Sequence, residues 1–310
     1  MEIKNNIQSF FYKLYGLNIK SDFYLSELSN NIYKPLDNID IEIINGICPE
    51  NIPNIKASDY YYTISDNEAI FEPKECGKFY ISNGNKIIIE PIENSNYEHL
   101  KSYLLSRSFA ILLFQRNMVA LHGSTILFDN KAYTFCGHSG AGKSSLGAAL
   151  CMEGYKMLSD DLSVISFKDD KPYIEPGFAQ HKLCNDTVEY FKINNENLNK
   201  VDYIANKFSI PVTSKFQSNT SPLSVIIELS LSHDINNTEV TLKEVLGQEK
   251  LYTIFRNIFA TRMMTDVGLN PKYLKQCLSI ASNIKVFKLT RPKGIFTLDE
   301  QIDLVKKIRD

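Results

Sequence analysis

What the chain does not contain narrows its class first. No C-x-x-C pair occurs among the cysteines at 48, 76, 136, 151, 184 and 277, and no histidine stands at ligand spacing from two of them. A structural zinc site is not expected, and the thiols read as small apolar fillers in a reducing compartment. The longest apolar run in a helical stretch, FAILLF at 109–114, is far too short to cross a bilayer. The segment MEIKNNIQSFFYKLYGL lacks the apolar core and small-residue cleavage site of a secretory signal, so a cytoplasmic protein is expected. Charge of neither sign dominates: the formal net charge of −2 gives no reason to expect nucleic acid or an anionic membrane as partner. Internal repeats and long linkers are also missing.

What is present is ordinary for a globular protein, with 44% apolar and 23% charged residues over 310 positions. That length suits one large domain or two modest ones. Two sections are expected, a β-rich stretch over 1–95 and a core over 96–310. In the first, DYYYTI (59–64), EAIFEP (68–73), KFYISN (78–83) and KIIIEP (86–91) read as strands divided by turn residues such as Asn83-Gly84-Asn85. IQSFFYKLYGL (7–17) reads as a short amphipathic helix. A longer helix is expected from Tyr97, capped by Ser95 or Asn96.

In the second section, MVALHGSTILF and KAYTFCG flank Asp129-Asn130 as a hairpin, and a glycine-rich turn follows directly. SSLGAALCMEGY then reads as a helix ending near Gly154, and KML (156–158) as a short buried strand running into Asp160-Asp161. LSVISF and PYIEP form a second hairpin around KDDK. LSVIIELSL (223–231) and KVFKLT (285–290) are strands. The stretch 242–264 reads as helical, NPKYLKQCLSIAS as a helix with an Asn270 cap and Pro271 at its first position, and TLDEQIDLVKKI as a helix with a Thr297/Glu300 capping box. Residues 184–222 are mixed and loop-rich. The class is α/β.

The chemistry concentrates at Gly137-His138-Ser139-Gly140-Ala141-Gly142-Lys143-Ser144, which fits G-x-x-x-x-G-K-[ST] and is followed by Ser145. Phosphate oxygens require several backbone N–H groups in a concave loop, glycines that let the backbone approach, and a helix starting at the loop. Lys143 then reaches the β- and γ-phosphates, and the Ser144 hydroxyl binds Mg²⁺. A chain of this length matches the pattern by chance about once in a hundred. Asp160 and Asp161 follow the next short strand, whose end should lie beside this cradle. Two adjacent carboxylates repel unless a cation lies between them or one holds a proton. One can bind the metal, and the other can accept a proton from an attacking hydroxyl.

Residues 121–165, LHGSTILFDNKAYTFCGHSGAGKSSLGAALCMEGYKMLSDDLSVI, resemble the catalytic core of HPr kinase/phosphorylase and its relatives in the phosphoenolpyruvate-carboxykinase-like group of P-loop proteins. The shared pattern is His-Gly on a strand, a hairpin, G-x-S-G-x-G-K-S, a helix ending in Gly, then Asp-Asp. His122 stands 21 residues before Lys143 and Asp161 stands 18 after it, intervals that match the family pattern. The resemblance implies a P-loop kinase core using ATP and Mg²⁺. Asp161 would be the base for a serine hydroxyl, Asp160 would support the metal, His122 would hydrogen-bond near the pair, and Glu175 would complete the metal site. The Arg-Gly-Leu-Gly stretch of the bifunctional enzymes is missing, with EPGFAQHKL (175–183) where it would stand, so the reverse, phosphorylase activity is not carried over. Gln115-Arg116, the Pro176-Gly177-Phe178…Lys182-Leu183 run and the run from Leu289 to Pro292 resemble HPr-kinase-related proteins such as the lasso-peptide precursor kinases.

The expectation is therefore an ATP-dependent kinase acting on a hydroxyl, foremost a serine of a peptide or small protein. A sugar-like alcohol as acceptor and a non-catalytic ATP-binding sensor are the alternatives. Lys182, Arg256, Arg262 and Arg291 are candidates for a cation that steadies the transferring group. Relatives in this group often form rings, so a homo-oligomer is an expectation for which no residue names an interface.

Overall fold

A computed structural model describes residues 9–31, 38–194, 198, 200–202, 207–232, 234, 236, 238–259 and 261–308. The chain is of the α/β class and divides into two compact units. Met1–Arg116 with Arg262–Gly268 form the first, and Asn117–Thr261 with Leu269–Asp310 the second. The helical segment that begins at Tyr97 groups with the first unit, so the division falls at Arg116 where the sequence reading set it at 95. Among the described residues no helix is long and apolar enough to cross a membrane.

The first unit is an eight-stranded sheet: β1 (Phe10–Leu14), β2 (Leu17–Ser21), β3 (Ile41–Asn45), β4 (Ala57–Ser58), β5 (Tyr62–Ile64), β6 (Glu68–Phe71), β7 (Gly77–Ser82) and β8 (Lys86–Pro91), in the order β1-β2-β3-β8-β7-β6-β5-β4. The helix expected over 7–17 is instead a hairpin, with residues 7 and 8 outside the described set. Tyr12 and Leu14 are buried at alternate positions. Tyr15 and Gly16 both have positive φ, the conformation that closes a two-residue turn with the twist of its strands. Helix α1 (Tyr97–Tyr103), with the Asn96 side chain accepting from the Glu98 and His99 N–H groups, leads through a π-helical turn into α2 (Phe109–Gln115). Gln115 and Arg116 brace the β7–β8 turn: Gly84 N–H donates to Gln115 Oε1 and Arg116 donates to Gly84 O.

The second unit contains β9 (Val119–Phe128), β10 (Lys131–Cys136), α3 (Lys143–Met152), β11 (Lys156–Ser159), β12 (Leu162–Lys168) and β13 (Lys171–Glu175). A small sheet follows, made of β14 (Gln180–Cys184), β15 (Lys200–Asp202) and β16 (Lys207–Pro211), with α4 (Asn185–Tyr190) after its first strand. The chain closes with β17 (Ser221–Leu231), β18 (Thr241–Val245), α5 (Gln248–Arg256), α7 (Pro271–Asn283), β19 (Lys285–Arg291) and α8 (Leu298–Lys306), while α6 (Thr261–Val267) belongs from Arg262 onward to the first unit. The small sheet is not expected from the sequence, because its strands are short and lie in polar surroundings. Residues 242–245 are expected as helix. Leu, Lys and Glu favour helix, but the pairing of this segment with β19 overrides that preference, and Gly247 separates it from α5. The Thr297 cap forms without the expected box: its hydroxyl accepts from Gln301 Nε2 at 3.2 Å and makes no N-terminal cap bond.

Two long strands serve two sheets each. Residues 119–122 of β9 pair with β12, and residues 123–128 pair with β10. At its start β17 meets β13; from Leu223 it runs parallel to β10 and from Val225 parallel to β19. The parallel strands bury both faces, which is why β17 reads as a nearly continuous apolar run. Ile126, Phe135, Leu146, Leu150, Val225, Ile227, Leu289 and Val305 form the core between this sheet, α3 and α8. Gly123 sits where β9 changes partners. A Cβ there would lie 2.8 Å from Phe135 O, so only glycine permits this approach.

Glu228 is the one acid inside that run and is buried on β17. Arg256 grips it through Nε and Nη2, both at 2.6 Å, and Asn257 Nδ2 adds a third bond at 2.8 Å. This holds the end of α5 so that residues 257–259 run beside β9, with His122 N–H donating to Asn257 O. Burial opposes the charge of Glu228, but Arg256 and Asn257 outweigh it and hold the carboxyl below its usual value. Such a group contributes stability above its unfolded pKa of about 4.3 and loses it as pH falls further. Glu228→Gln should cost about 1–3 kcal/mol near neutral pH, with the difference from wild type shrinking as the pH is lowered below that value. Chemical denaturation at a series of pH values measures both.

Candidate functional site

The turn after β10 and the end of β11 lie at the same edge of the sheet, because these strands run parallel on either side of β9. Carboxyl ends of parallel strands are where such sheets bind ligands. Gly137 opens the turn with φ 137°, and a Cβ there would lie 2.4 Å from Leu229 O. The loop is thereby pressed against the end of β17. Helix α3 then begins at Lys143, and its first N–H groups face the loop. Arg291, the last residue of β19, donates from Nε to Ala141 O at 3.2 Å and from Nη2 to Gly140 O at 3.4 Å, bracing the loop from outside.

Lys143 is buried. Its Nζ donates to Gly137 O at 2.8 Å and His138 O at 3.1 Å. Burial pushes its pKa down. Ser144 Oγ donates to Asp160 Oδ1 at 3.0 Å, which brings the helix start and the β11 end into direct contact. Ser145 bonds Thr187 of α4. The other oxygen of Asp160 accepts from the Lys182 N–H at 3.0 Å. Behind it the buried His181 places Nδ1 3.4 Å from Asp160 Oδ2, and neither ring nitrogen makes a hydrogen bond among the described residues. Burial opposes both charges, yet each holds the other ionised: the carboxyl is lowered and the imidazole raised.

Asp161 adopts φ 72°, a left-handed conformation that costs a non-glycine residue strain and is found where a site needs a side chain aimed. Its backbone carbonyl accepts from Gly123 N–H, and its carboxylate lies 3.0 Å from Lys182 Nζ and 3.6 Å from His122 Nε2. Burial would raise its pKa, but Lys182, His122 and Lys207 outweigh this and bring it down to about 2. His122 packs its ring on Phe259, with centroids 4.9 Å apart. Burial, aided by Lys143 and Lys207, lowers its pKa to about 4 despite Asp161, so it is neutral at pH 7.

One cavity of about 360 Å³ gathers these groups, its lining including His122, Lys143, Ser144, Asp161, Lys182, Asp186, Lys207, Arg291 and residues 294–298. Of the expected loop residues, Ser139, Gly140, Gly142, Lys143, Ser144 and Ser145 line it. Gly137, His138 and Ala141 form the turn behind, and Ala141 is buried in the core. Asp160 lies beneath Ser144. Glu175 is not brought to the cavity: its oxygens accept from Ser166 at 2.6 Å and Thr220 at 2.9 Å. Among the four candidate cations Lys182 and Arg291 line the cavity, Arg256 is held by Glu228, and Arg262 pairs with Asp59 in the first unit.

Lys207 and His181 were not singled out from the sequence. His181 stands in the alternation QHKLC, where it shares the α3-facing side of β14 with the buried Leu183, and that pattern was the available signal. Among the described residues no group of three or more His, Cys, Asp or Glu is placed to hold a metal. The donor set is a hydroxyl and a carboxylate in contact. Hard oxygen donors few in number suit Mg²⁺ arriving with a phosphate ligand, which needs only one or two protein groups.

In the protein without added nucleotide, the His122 ring should titrate near 4 in an NMR pH series, assigned by loss of its signal in His122→Gln. A histidine whose folded pKa lies below its unfolded value of about 6.5 removes stability as pH falls through that interval. Wild type should therefore lose stability more steeply than His122→Gln between those two values.

No family model matches the chain, and no curated protein matches it. Among solved structures, the HPr(Ser) kinase/phosphatase from Coxiella burnetii is similar at 13% identity and a TM-score of 0.31, with 61% of this chain and 93% of that one covered.

Proposed function

We propose that the second unit is an ATP-dependent phosphotransferase that passes the γ-phosphoryl group to a hydroxyl, with a serine of a peptide or small protein as acceptor. The observation that carries this is the Ser144–Asp160 hydrogen bond at 3.0 Å, with Lys143 and Asp161 facing the same cavity. A bare anion site needs the loop and its lysine. It has no use for a hydroxyl–carboxylate pair at the helix start, nor for a second carboxylate aimed beside it in a strained conformation. The serine acceptor is the narrower part of the reading and rests on the resemblance of 121–165.

In this reading the amides of the 137–144 turn and the start of α3 hold the β- and γ-phosphates, and Lys143 leaves its carbonyl partners to join them. Ser144 and Asp160 hold Mg²⁺, which supplies neutralising charge at the phosphate oxygens when bound. His181 keeps Asp160 ionised and oriented from behind. Asp161 accepts the acceptor's proton as the hydroxyl oxygen bonds to the γ-phosphorus and the bond to the bridging oxygen of ADP breaks. Phosphoryl transfer demands positioning and charge neutralisation more than a strong base, so an aspartate of low pKa suffices. His122, neutral at pH 7, orients Asp161 without adding charge. Loop 294–298, with Ile295, Phe296 and Leu298, offers the apolar wall on which the nucleoside rests.

Mg-ATP at about 100 times its dissociation constant should stabilise the wild type by about 2.7 kcal/mol in a thermal-shift titration, and Lys143→Ala should abolish the shift. An equal shift in the variant removes the cradle from the mechanism. Asp161→Asn should bind Mg-ATP and transfer nothing. Incubation with labelled ATP and either Ser-containing peptides or a panel of sugars identifies the acceptor class, and labelled sugar alone would replace the peptide assignment.

A further inference from the structure

The small sheet carries two lysines that the phosphate loop does not account for. Strands β14 and β16 are antiparallel with Cys184 opposite Lys207 and Lys182 opposite Ser209. Side chains alternate across a strand, so Lys182, Cys184 and Lys207 share one face and Leu183, Phe208 and Ile210 the other. The second face packs with Val188 and with Ala148 of α3. The first face lines the cavity. The sheet is thus a platform fixed to the phosphate-loop helix by its apolar side, presenting lysines from its polar side.

These lysines are not in balance with their surroundings. Lys182 is tied to Asp161 Oδ2 at 3.0 Å. Lys207 makes no side-chain hydrogen bond or ion pair with a described residue, and its charge is felt at His122, Lys143 and Asp161. Three ammonium groups, Lys143, Lys182 and Lys207, therefore line the cavity with two carboxylates, Asp161 and Asp186, and the charge of Asp186 is felt at Arg291. Like charges so gathered repel unless an anion lies among them. Arg291 is different, since its guanidinium is spent on the carbonyls of Gly140 and Ala141. Lys182 and Lys207 both act on Asp161, and Lys207 on His122 as well, the groups that the proposed function sets at the reacting end of the ligand.

We infer that Lys182 and Lys207 form a clamp on the terminal phosphate of a nucleoside triphosphate, so that the site distinguishes triphosphate from diphosphate. This rests on the nucleotide reading above and adds which groups sense the γ-phosphate. Lys182 exchanges Asp161 for phosphate oxygens when the triphosphate binds, and the carboxylate is released from its ion pair only then. A diphosphate leaves the Lys182–Asp161 pair closed and Lys207 without a partner.

Calorimetric titration with Mg-ADP and with the non-hydrolysable β,γ-imido analogue of Mg-ATP tests this without any turnover. The wild type should bind the analogue more tightly than ADP. Lys207→Met keeps the apolar stem and removes the charge. It should weaken analogue binding about tenfold or more with ADP affinity nearly unchanged, as should Lys182→Met, and Lys207→Arg should retain the preference. Equal loss for both nucleotides, or no loss for either, overturns the clamp while leaving nucleotide binding in place. A wild type that binds neither nucleotide overturns the nucleotide reading itself and the clamp with it.

Discussion

One strand changing partners sets the geometry on which the rest depends. Strand β9 pairs with β12 up to His122 and with β10 from Gly123 onward, and the missing side chain at 123 lets the backbone of β10 come close enough for the exchange. On one side of this fork β10 ends in the glycine-rich turn. On the other, the Asp161 carbonyl accepts from Gly123 N–H. The glycine-rich turn and the aspartate pair are therefore registered to the same residue of the same strand. Their separation is fixed by sheet hydrogen bonds, which hold position more closely than loops do. His122 is the last residue before the fork, so its side chain lies beside Asp161 by pairing register alone.

Around this frame, burial and charge oppose each other at every titratable group. Lys143, His122, Asp160, Asp161 and His181 are all withdrawn from water, which disfavours their charged forms. The aspartates remain ionised because each carboxylate is met by a cation or a donor: His181 and the Lys182 backbone N–H at Asp160, the Lys182 ammonium at Asp161. His122 gives way and becomes neutral, since Lys143 and Lys207 add to its burial. The outcome is a site whose negative charges are already compensated from behind and whose surplus is positive in front. A surplus of that sign, walled by low-dielectric core, draws in an anion and strengthens its binding.

Much of the local structure was legible because it is written in short-range chemistry. Asp129-Asn130 could only close a tight hairpin, Asn270-Pro271 could only start a helix, and the glycine-rich turn between strand and helix left little choice of fold around 131–152. What escaped was decided at long range. Residues 241–245 have a composition that suits a helix and became a strand because β19, further along the chain, was there to pair with, whereas 10–14, whose Phe and Tyr favour strands, pair locally with 17–21 through the Tyr15-Gly16 turn. Lys207 could not be connected to Lys143 from the sequence, since the small sheet that brings it to the cavity has no strong pattern of its own. Glu175 was drawn to the metal by a resemblance in chain order, whereas β13 points it to Ser166 and Thr220. Order along the chain gives an acid near a site in sequence; only pairing register says which way its side chain faces.

The low basicity of Asp161 is the point at which chemistry and packing meet. A carboxylate held near 2 by an ammonium at 3.0 Å is a poor acceptor for a proton, and it would remain so were its partner immobile. Lys182 is a long side chain on the cavity-facing side of a small sheet, and its ion pair with Asp161 is mostly withdrawn from water, so separating the two is costly unless each charge finds a new partner. On the proposed reading phosphate oxygens are that partner for the ammonium. The proposed clamp then does two things with one motion: it neutralises the group being transferred and returns basicity to Asp161 at the moment a hydroxyl needs it. On the proposed reading, the same pair keeps the carboxylate idle in the absence of a γ-phosphate, which would tie readiness for transfer to the presence of something to transfer.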